Sequence, residues 1–244
     1  MPPATPGAAR EPIQNQFDIS GLDLPDILGT INDEVRERFG EGKPADYIDA
    51  LANVPLDRFG MALVTRDGDV HEVGDAREAF SIQSISKVHT VTMALDALGD
   101  DLWERVDREP SGDPFNSLIQ LEHEKGIPRN PFMNAGALVV ADVLLSAHER
   151  PEQALVDFIR ARAGRLDIGA DDVVAKSERE SGYRNIATAN FIRSYGNIQN
   201  DVDDVLDFYF LQCSLGMNCV DLARSVQYLS RGGYCDISGT RVVS

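Results

Sequence analysis

Apolar positions along this 244-residue chain recur mostly at the helical period, with one early stretch at the strand period. Leu24, Ile27, Leu28, Ile31, Val35 and Phe39 fall every three or four residues and predict a helix over 24–39. After the Gly40–Pro44 break, 45–51 predicts a short helical turn around Tyr47 and Ile48. Two compact apolar runs, 59–65 and 70–73, flank Arg66-Asp67-Gly68-Asp69, and Asp-Gly between such runs is a hairpin signal. The helical period then returns: Ile85, Val88, Val91, Leu95 and Leu98 predict a helix that Gly99 stops. Further helices are expected over 134–145, 151–163, 201–215 and 218–230. Acids at 201, 203 and 204 suit a positive helix N-terminus, and Asn218 is a natural N-cap. A turn at Ser238-Gly239 precedes the start of a strand at Arg241. The inventory is two strands, about seven helices and a late strand, with no internal repeat. A lone hairpin is marginal, so this sheet needs partners.

Composition narrows the setting. The Pro/Ala/Gly-rich opening predicts a disordered leader over 1–16, leaving 17–244 as one domain. Glu109–Asn116, EPSGDPFN, reads as an ordered or functional loop. Twenty-three Lys+Arg against 40 Asp+Glu give a net charge of −17, which repels phosphates and argues against nucleic-acid or anionic-membrane partners. No apolar run approaches the roughly 20 residues that span a bilayer, and Met1–Arg10 holds no apolar signal core. A cytoplasmic chain is expected. Cys213, Cys219 and Cys235 are odd in number without CxxC spacing and read as reduced thiols. The four histidines lack ligand spacing, so no metal site is expected, and neither GxGxxG nor GxxxxGK[ST] occurs.

The chemistry gathers at Ser84-Ile85-Ser86-Lys87, an SxxK sequence opening the predicted 85–98 helix. Residues i and i+3 share a helix face, so the Lys87 amine can reach the Ser84 hydroxyl. A serine becomes a nucleophile when a neighbouring base takes its proton, and a lysine does this only when neutral. Unpaired N–H groups at the first helical turn favour a developing oxyanion. The competing reading is a cap serine with a surface lysine. Against it stand apolar Ile85 and Val88 beside the lysine, and the polar cluster of Ser81, Gln83, Ser84 and Ser86.

Longer strings carry more. ADYIDALA, FSIQSISKV, EPSGDPFNSL, NPFMNAGAL, SERESGYRN and LDFYFLQCSL run in unbroken order from about Leu24 onward. By these strings the chain resembles the serine-dependent glutaminases, whose fold is of the β-lactamase/penicillin-binding-protein type. The resemblance implies an α/β (α+β type) architecture, an antiparallel sheet flanked by helices plus a mainly helical part, with the site between them. It implies hydrolysis of L-glutamine to L-glutamate and ammonia without a cofactor, with Ser84 as nucleophile and Lys87 as base. It also implies Asn134, Glu178, Asn185, Tyr209 and Tyr47 as glutamine contacts, and self-association into a homo-oligomer. A free amino acid offers an ammonium to a carboxylate such as Glu178, and a carboxylate to amide and hydroxyl donors. Without the resemblance, Asn134 and Asn185 read as helix caps, Glu178 as a surface acid and Tyr209 as core. Tyr195-Gly196-Asn197 reads as a helix end and Ser238-Gly239-Thr240 as a turn, because the latter lacks the lysine of a KTG motif.

In the family the sequence continues beyond the point matching Ser244, with a further tyrosine, a Lys-Ser-Gly stretch and a valine whose N–H completes the oxyanion hole. The expected sheet is accordingly short of strands. Two other readings stand beside the glutaminase one: another SxxK hydrolase acting on β-lactams, esters or peptides, and a non-catalytic, C-terminally shortened form.

Overall fold

The computed structural model describes residues 21–112 and 119–243. The expected leader over 1–16 and positions 113–116 of the expected loop lie outside the described residues. Helix α1 (Leu24–Arg36) starts where Asp23 accepts the Asp26 N–H at 3.1 Å, with a proline in its first turn. It stops short of Phe39, which lies in a turn. The segment around Tyr47 is a run of turns, not a helix: it follows Pro44 and is too short to nucleate one. The Ala50 N–H donates to Ser177 Oγ at 3.0 Å and ties this segment down.

The hairpin forms as the Asp-Gly signal predicts. Strands β1 (Gly60–Val64) and β2 (Val70–Gly74) pair antiparallel with Leu63 opposite His71, and α1 packs on β2. Strand β3 (Phe80–Ser81) leads through a 3-10 turn, Gln83–Ser86, into α2 (Lys87–Leu98), which Gly99 ends at φ 57. The 3-10 turn Gly99–Glu104 and α3 (Ile119–His123) follow. Helix α4 (Asn134–Ala147) is apolar nearly all round apart from Asp142, and Ala135–Leu144 are all buried, as expected of a central core helix. A Cβ on Gly136 would lie 2.0 Å from the Asn130 carbonyl oxygen, so only glycine lets α4 start this close to the preceding turn. Next come α5 (Pro151–Ala163), β4 (Gly169–Ala170), α6 (Asp172–Ser181), α7 (Tyr183–Ser194) and α8 (Val202–Cys213). The chain closes with β5 (Leu215–Met217), α9 (Cys219–Ser225), a 3-10 turn Gln227–Arg231, and the hairpin β6 (Tyr234–Cys235) and β7 (Thr240–Arg241).

The architecture is helical with small antiparallel sheets. The described residues hold three of them, β1–β2, β3–β5–β4 and β6–β7, where one sheet was expected. The central sheet sets Phe80 opposite Met217 and Ala170 opposite Leu215, drawing three distant segments together beside residues 82–87. Helices α2, α4, α5 and α8 enclose the core around Leu138, Leu144, Leu155, Ile159 and Leu206. The predicted 201–215 helix ends at Cys213 because Leu215 joins the sheet, and the predicted 218–230 helix breaks at Val226.

A buried polar knot fixes how α8 enters this core. Fully buried Asp142 accepts from Arg105 Nη2 at 2.6 Å and from the Gln199 and Asn200 N–H groups at 3.0 and 2.8 Å. Arg105 also donates to the Asn197 carbonyl at 2.7 Å. Asp142→Asn keeps the shape but turns an amide N–H toward donors, and is expected to cost about 2 kcal/mol. A fall in the urea midpoint at unchanged slope is the measurement that checks this.

Candidate active site

Ser84 owes its position to a backbone irregularity. The Ile82 N–H bonds the Leu215 carbonyl at 2.9 Å, continuing the β3–β5 pairing one residue further. Gln83 then takes φ 50, a left-handed value that few non-glycine residues adopt. The kink reverses the strand into the 3-10 turn, leaving Ile82, Ser86 and Lys87 buried and Ser84 and Ile85 exposed. Ser84 faces a cavity of about 770 Å³. Its hydroxyl caps neither the turn nor α2, so the cap-serine reading fails. The Ser84 N–H lies in the first turn, where helix geometry provides no intrahelical acceptor.

Lys87 is not a surface lysine. The side chain is 3% exposed, and Nζ donates to Asn134 Oδ1 at 2.7 Å and to the Phe132 carbonyl at 3.1 Å. Both acceptors are neutral, and among the described residues no carboxylate pairs with it. Burial lowers its pKa from 10.5 to about 8, with the Cys213 thiol working weakly the other way. The predicted Ser84–Lys87 hydrogen bond is not formed; the amine lies behind the serine, turned to Asn134, and such catalytic contacts are often loose before substrate binds.

The polar chain continues across the cavity wall. Asn134, the first residue of α4, donates from Nδ2 to Asn185 Oδ1 at 3.0 Å. Neither asparagine caps its helix. Instead the side-chain oxygen of Asn130 accepts the Phe132 and Met133 N–H groups at 3.0 and 3.1 Å and shapes the entry to α4. Glu178 on α6 is 7% exposed, not a surface acid, and its Oε1 has no hydrogen-bond partner. Burial raises its pKa, and the nearby Gln83 side-chain amide partly counters this. An unpaired buried carboxylate is costly, and a cationic ligand group would relieve it. Gly182 joins α6 to α7 where a Cβ would lie 2.5 Å from the Phe210 ring, so the two helices bring Glu178 and Asn185 to one wall.

Tyr209 on α8 is 2% exposed and belongs to the core, yet its hydroxyl end reaches the cavity. Burial raises its phenol well above the ordinary value, the Cys213 thiol and Glu178 push the same way, and the nearby Ser84 hydroxyl opposes them. Tyr47 stands at the rim, 71% exposed. All seven sequence-derived residues therefore meet in or directly behind one cavity, Lys87 from behind. The sequence reading missed Gln83 and Cys213, which also line it. Cys213 follows Tyr209 by four residues on one helix face, a signal that was available. Burial drives its thiol up to about 12, and all three cysteines are free. Tyr195 ends α7 against Phe191, away from the cavity. Among the described residues no helix is long and apolar enough to cross a membrane, and no cluster of three or more His, Cys, Asp and Glu side chains could hold a metal.

The chain is similar to known proteins. A family profile described as Glutaminase matches residues 42–244. A glutaminase of Rhizobium leguminosarum bv. trifolii is 53% identical over 225 residues, which cover 91% of this chain and 72% of that protein. The solved structure of the probable glutaminase ybaS superposes with a TM-score of 0.81 at 33% identity, covering 91% of this chain and 73% of the other. Mglu in its tris and glutamate form gives a TM-score of 0.82 at 34% identity, covering 90% and 49%.

Proposed function

This chain belongs to the glutaminase family, and for it we propose that Ser84 and Lys87 hydrolyse L-glutamine to L-glutamate and ammonia through a γ-glutamyl ester on Ser84. The supporting observation is a buried lysine with only neutral partners directly behind an exposed serine, on a cavity that also holds an unpaired carboxylate. Neutral Lys87 takes the Ser84 proton as Oγ attacks the side-chain amide carbon. The oxyanion develops toward the Ser84 N–H. Lys87 returns the proton to nitrogen, ammonia leaves, and Lys87 then activates the water that hydrolyses the ester. Asn134 orients the amine, Glu178 receives the substrate ammonium, and Asn185, Tyr209 and Tyr47 contact the amino-acid end.

Quenched-flow mass spectrometry tests the covalent step. The peptide carrying Ser84 gains a γ-glutamyl group during turnover; ammonia release with no such adduct, even under rapid quench, excludes the ester route. Glu178→Gln removes the charge opposite the ammonium, and KM for glutamine is expected to rise about a hundredfold with kcat changed far less. A fall confined to kcat would place Glu178 elsewhere in the reaction.

The same reading treats 17–244 as one catalytic domain, supported by the single large core running from Ile82 to Met217. A cytoplasmic location is supported by three free thiols. Homo-oligomerisation belongs to the same reading, and sedimentation velocity tests it.

A further inference from the structure

Gln83 is one of two non-glycine residues with positive φ among the described residues, and the other, Lys125, is remote in sequence from the SxxK turn. A left-handed conformation at a residue with a Cβ persists only where its surroundings enforce it. Here the enforcement has an identifiable source. The Ser86 hydroxyl donates to the Gln83 carbonyl at 2.6 Å, and Ser86 is fully buried. Behind it, fully buried Gln212 on α8 donates from Nε2 to Ser86 Oγ at 3.4 Å. Its own Oε1 has no partner, so this amide is spent on Ser86 alone.

We infer that Ser86 and Gln212 are positioning residues for the nucleophile, a latch that holds Gln83 left-handed and so keeps Ser84 on the cavity wall in front of Lys87. The inference rests on Ser84 being the nucleophile. A serine bonding the carbonyl three residues back is ordinary in helices. Three features separate this one from that background: the carbonyl belongs to the strained residue, the hydroxyl is buried, and a second buried side chain from another helix supports it. The first residue of the latch lies two positions after Ser84 and the second lies one turn beyond Tyr209, so one contact joins the two segments that carry the site. The latch does no chemistry. It raises the population of the reactive geometry, and so acts on acylation more than on substrate binding.

A double-mutant cycle tests this, because glycine adopts φ near +50 at no steric cost and makes the latch unnecessary. The 244-residue chain and its Ser86→Ala, Gln83→Gly and combined variants are acylated with a chromogenic γ-glutamyl anilide. Rates are normalised to folded protein by thermal melting. Ser86→Ala is expected to slow acylation about tenfold with Gln83 present and less than twofold with glycine at 83, KM staying within about twofold in both. A purely structural Ser86 would slow both backgrounds alike, and that result overturns the latch. Gln212→Met repeats the cycle from the far side, with a two- to threefold effect expected only beside Gln83, and it decides the matter should Ser86→Ala fail to fold. A Ser84→Ala control separates the two failures. If that control is acylated as fast as the parent, or the parent is not acylated, the Ser84 reading itself falls. If only the cycle is flat, the latch falls alone.

Discussion

Replacing Ser84 with alanine lowers kcat/KM for glutamine at least about a thousandfold while the melting temperature moves by no more than about 2 °C. The large effect follows from the covalent route. Water in the vacated space would have to attack an unactivated amide directly, with no ester intermediate to divide the reaction into two easier steps. The small effect on stability follows from exposure: Ser84 caps no helix and packs no core. Together these make the variant a clean probe, because lost activity cannot be attributed to lost fold. Binding should survive, since Glu178 and Asn185 are untouched, and isotope-labelled glutamine is expected to bind Ser84→Ala within about threefold of the parent affinity. Turnover within tenfold of the parent would remove Ser84 from the chemistry and leave the cavity needing another nucleophile.

How much of this was legible without coordinates depends on which face of each element looks inward. Where the inward face is apolar, the period shows the element: Pro151–Ala163 appears in the structure as it reads in the sequence, and the Asp-Gly hairpin pairs as expected. Helices α6 and α7 went unread for the opposite reason. The buried positions of α6 are Val174, Ser177 and Glu178, and those of α7 are Thr188, Ala189 and Ile192. Their inward faces mix Val174 and Ile192 with polar or small residues, so the apolar period is interrupted. The central sheet was invisible on different grounds, since two- and three-residue strands are too short to alternate. The SxxK spacing singles out two residues of one turn but predicts a contact that does not form, because the left-handed Gln83 turns Ser84 outward while Lys87 reaches inward to Asn134. No spacing rule contains that kink.

Lys87 sets the pH dependence, and its sign follows from which form reacts. The neutral amine is the base, so kcat/KM should climb about tenfold per pH unit below neutrality and level off above an apparent pKa near 8. At pH 7 about a tenth of the protein then carries the reactive amine, against about one part in several thousand for an ordinary lysine. Burial among neutral acceptors therefore supplies more than a hundredfold of the rate at pH 7. Glu178 sharpens the acid side, because a raised carboxyl protonates earlier as pH falls and weakens ammonium binding, which appears as a rising KM. Lys87→Met should lower kcat/KM by about a thousandfold and flatten the ascending limb. The same substitution has a signature in stability. A lysine whose folded pKa is depressed makes the unfolded chain hold more protons between about pH 8 and 10.5, so its contribution to stability rises with pH across that window and is unfavourable below it. The shift corresponds to about 3 kcal/mol, present in the parent and absent from Lys87→Met. Cys213 and Tyr209, both raised by burial, run the other way in this range and are common to both proteins, so they largely cancel in the difference. Relative to the parent, Lys87→Met should therefore lose stability steadily from pH 8 to 10.5. A parallel pair of melting curves across that range, with an ascending rate limb that persists in the variant, would show that Lys87 stays charged and that some other group takes the serine proton.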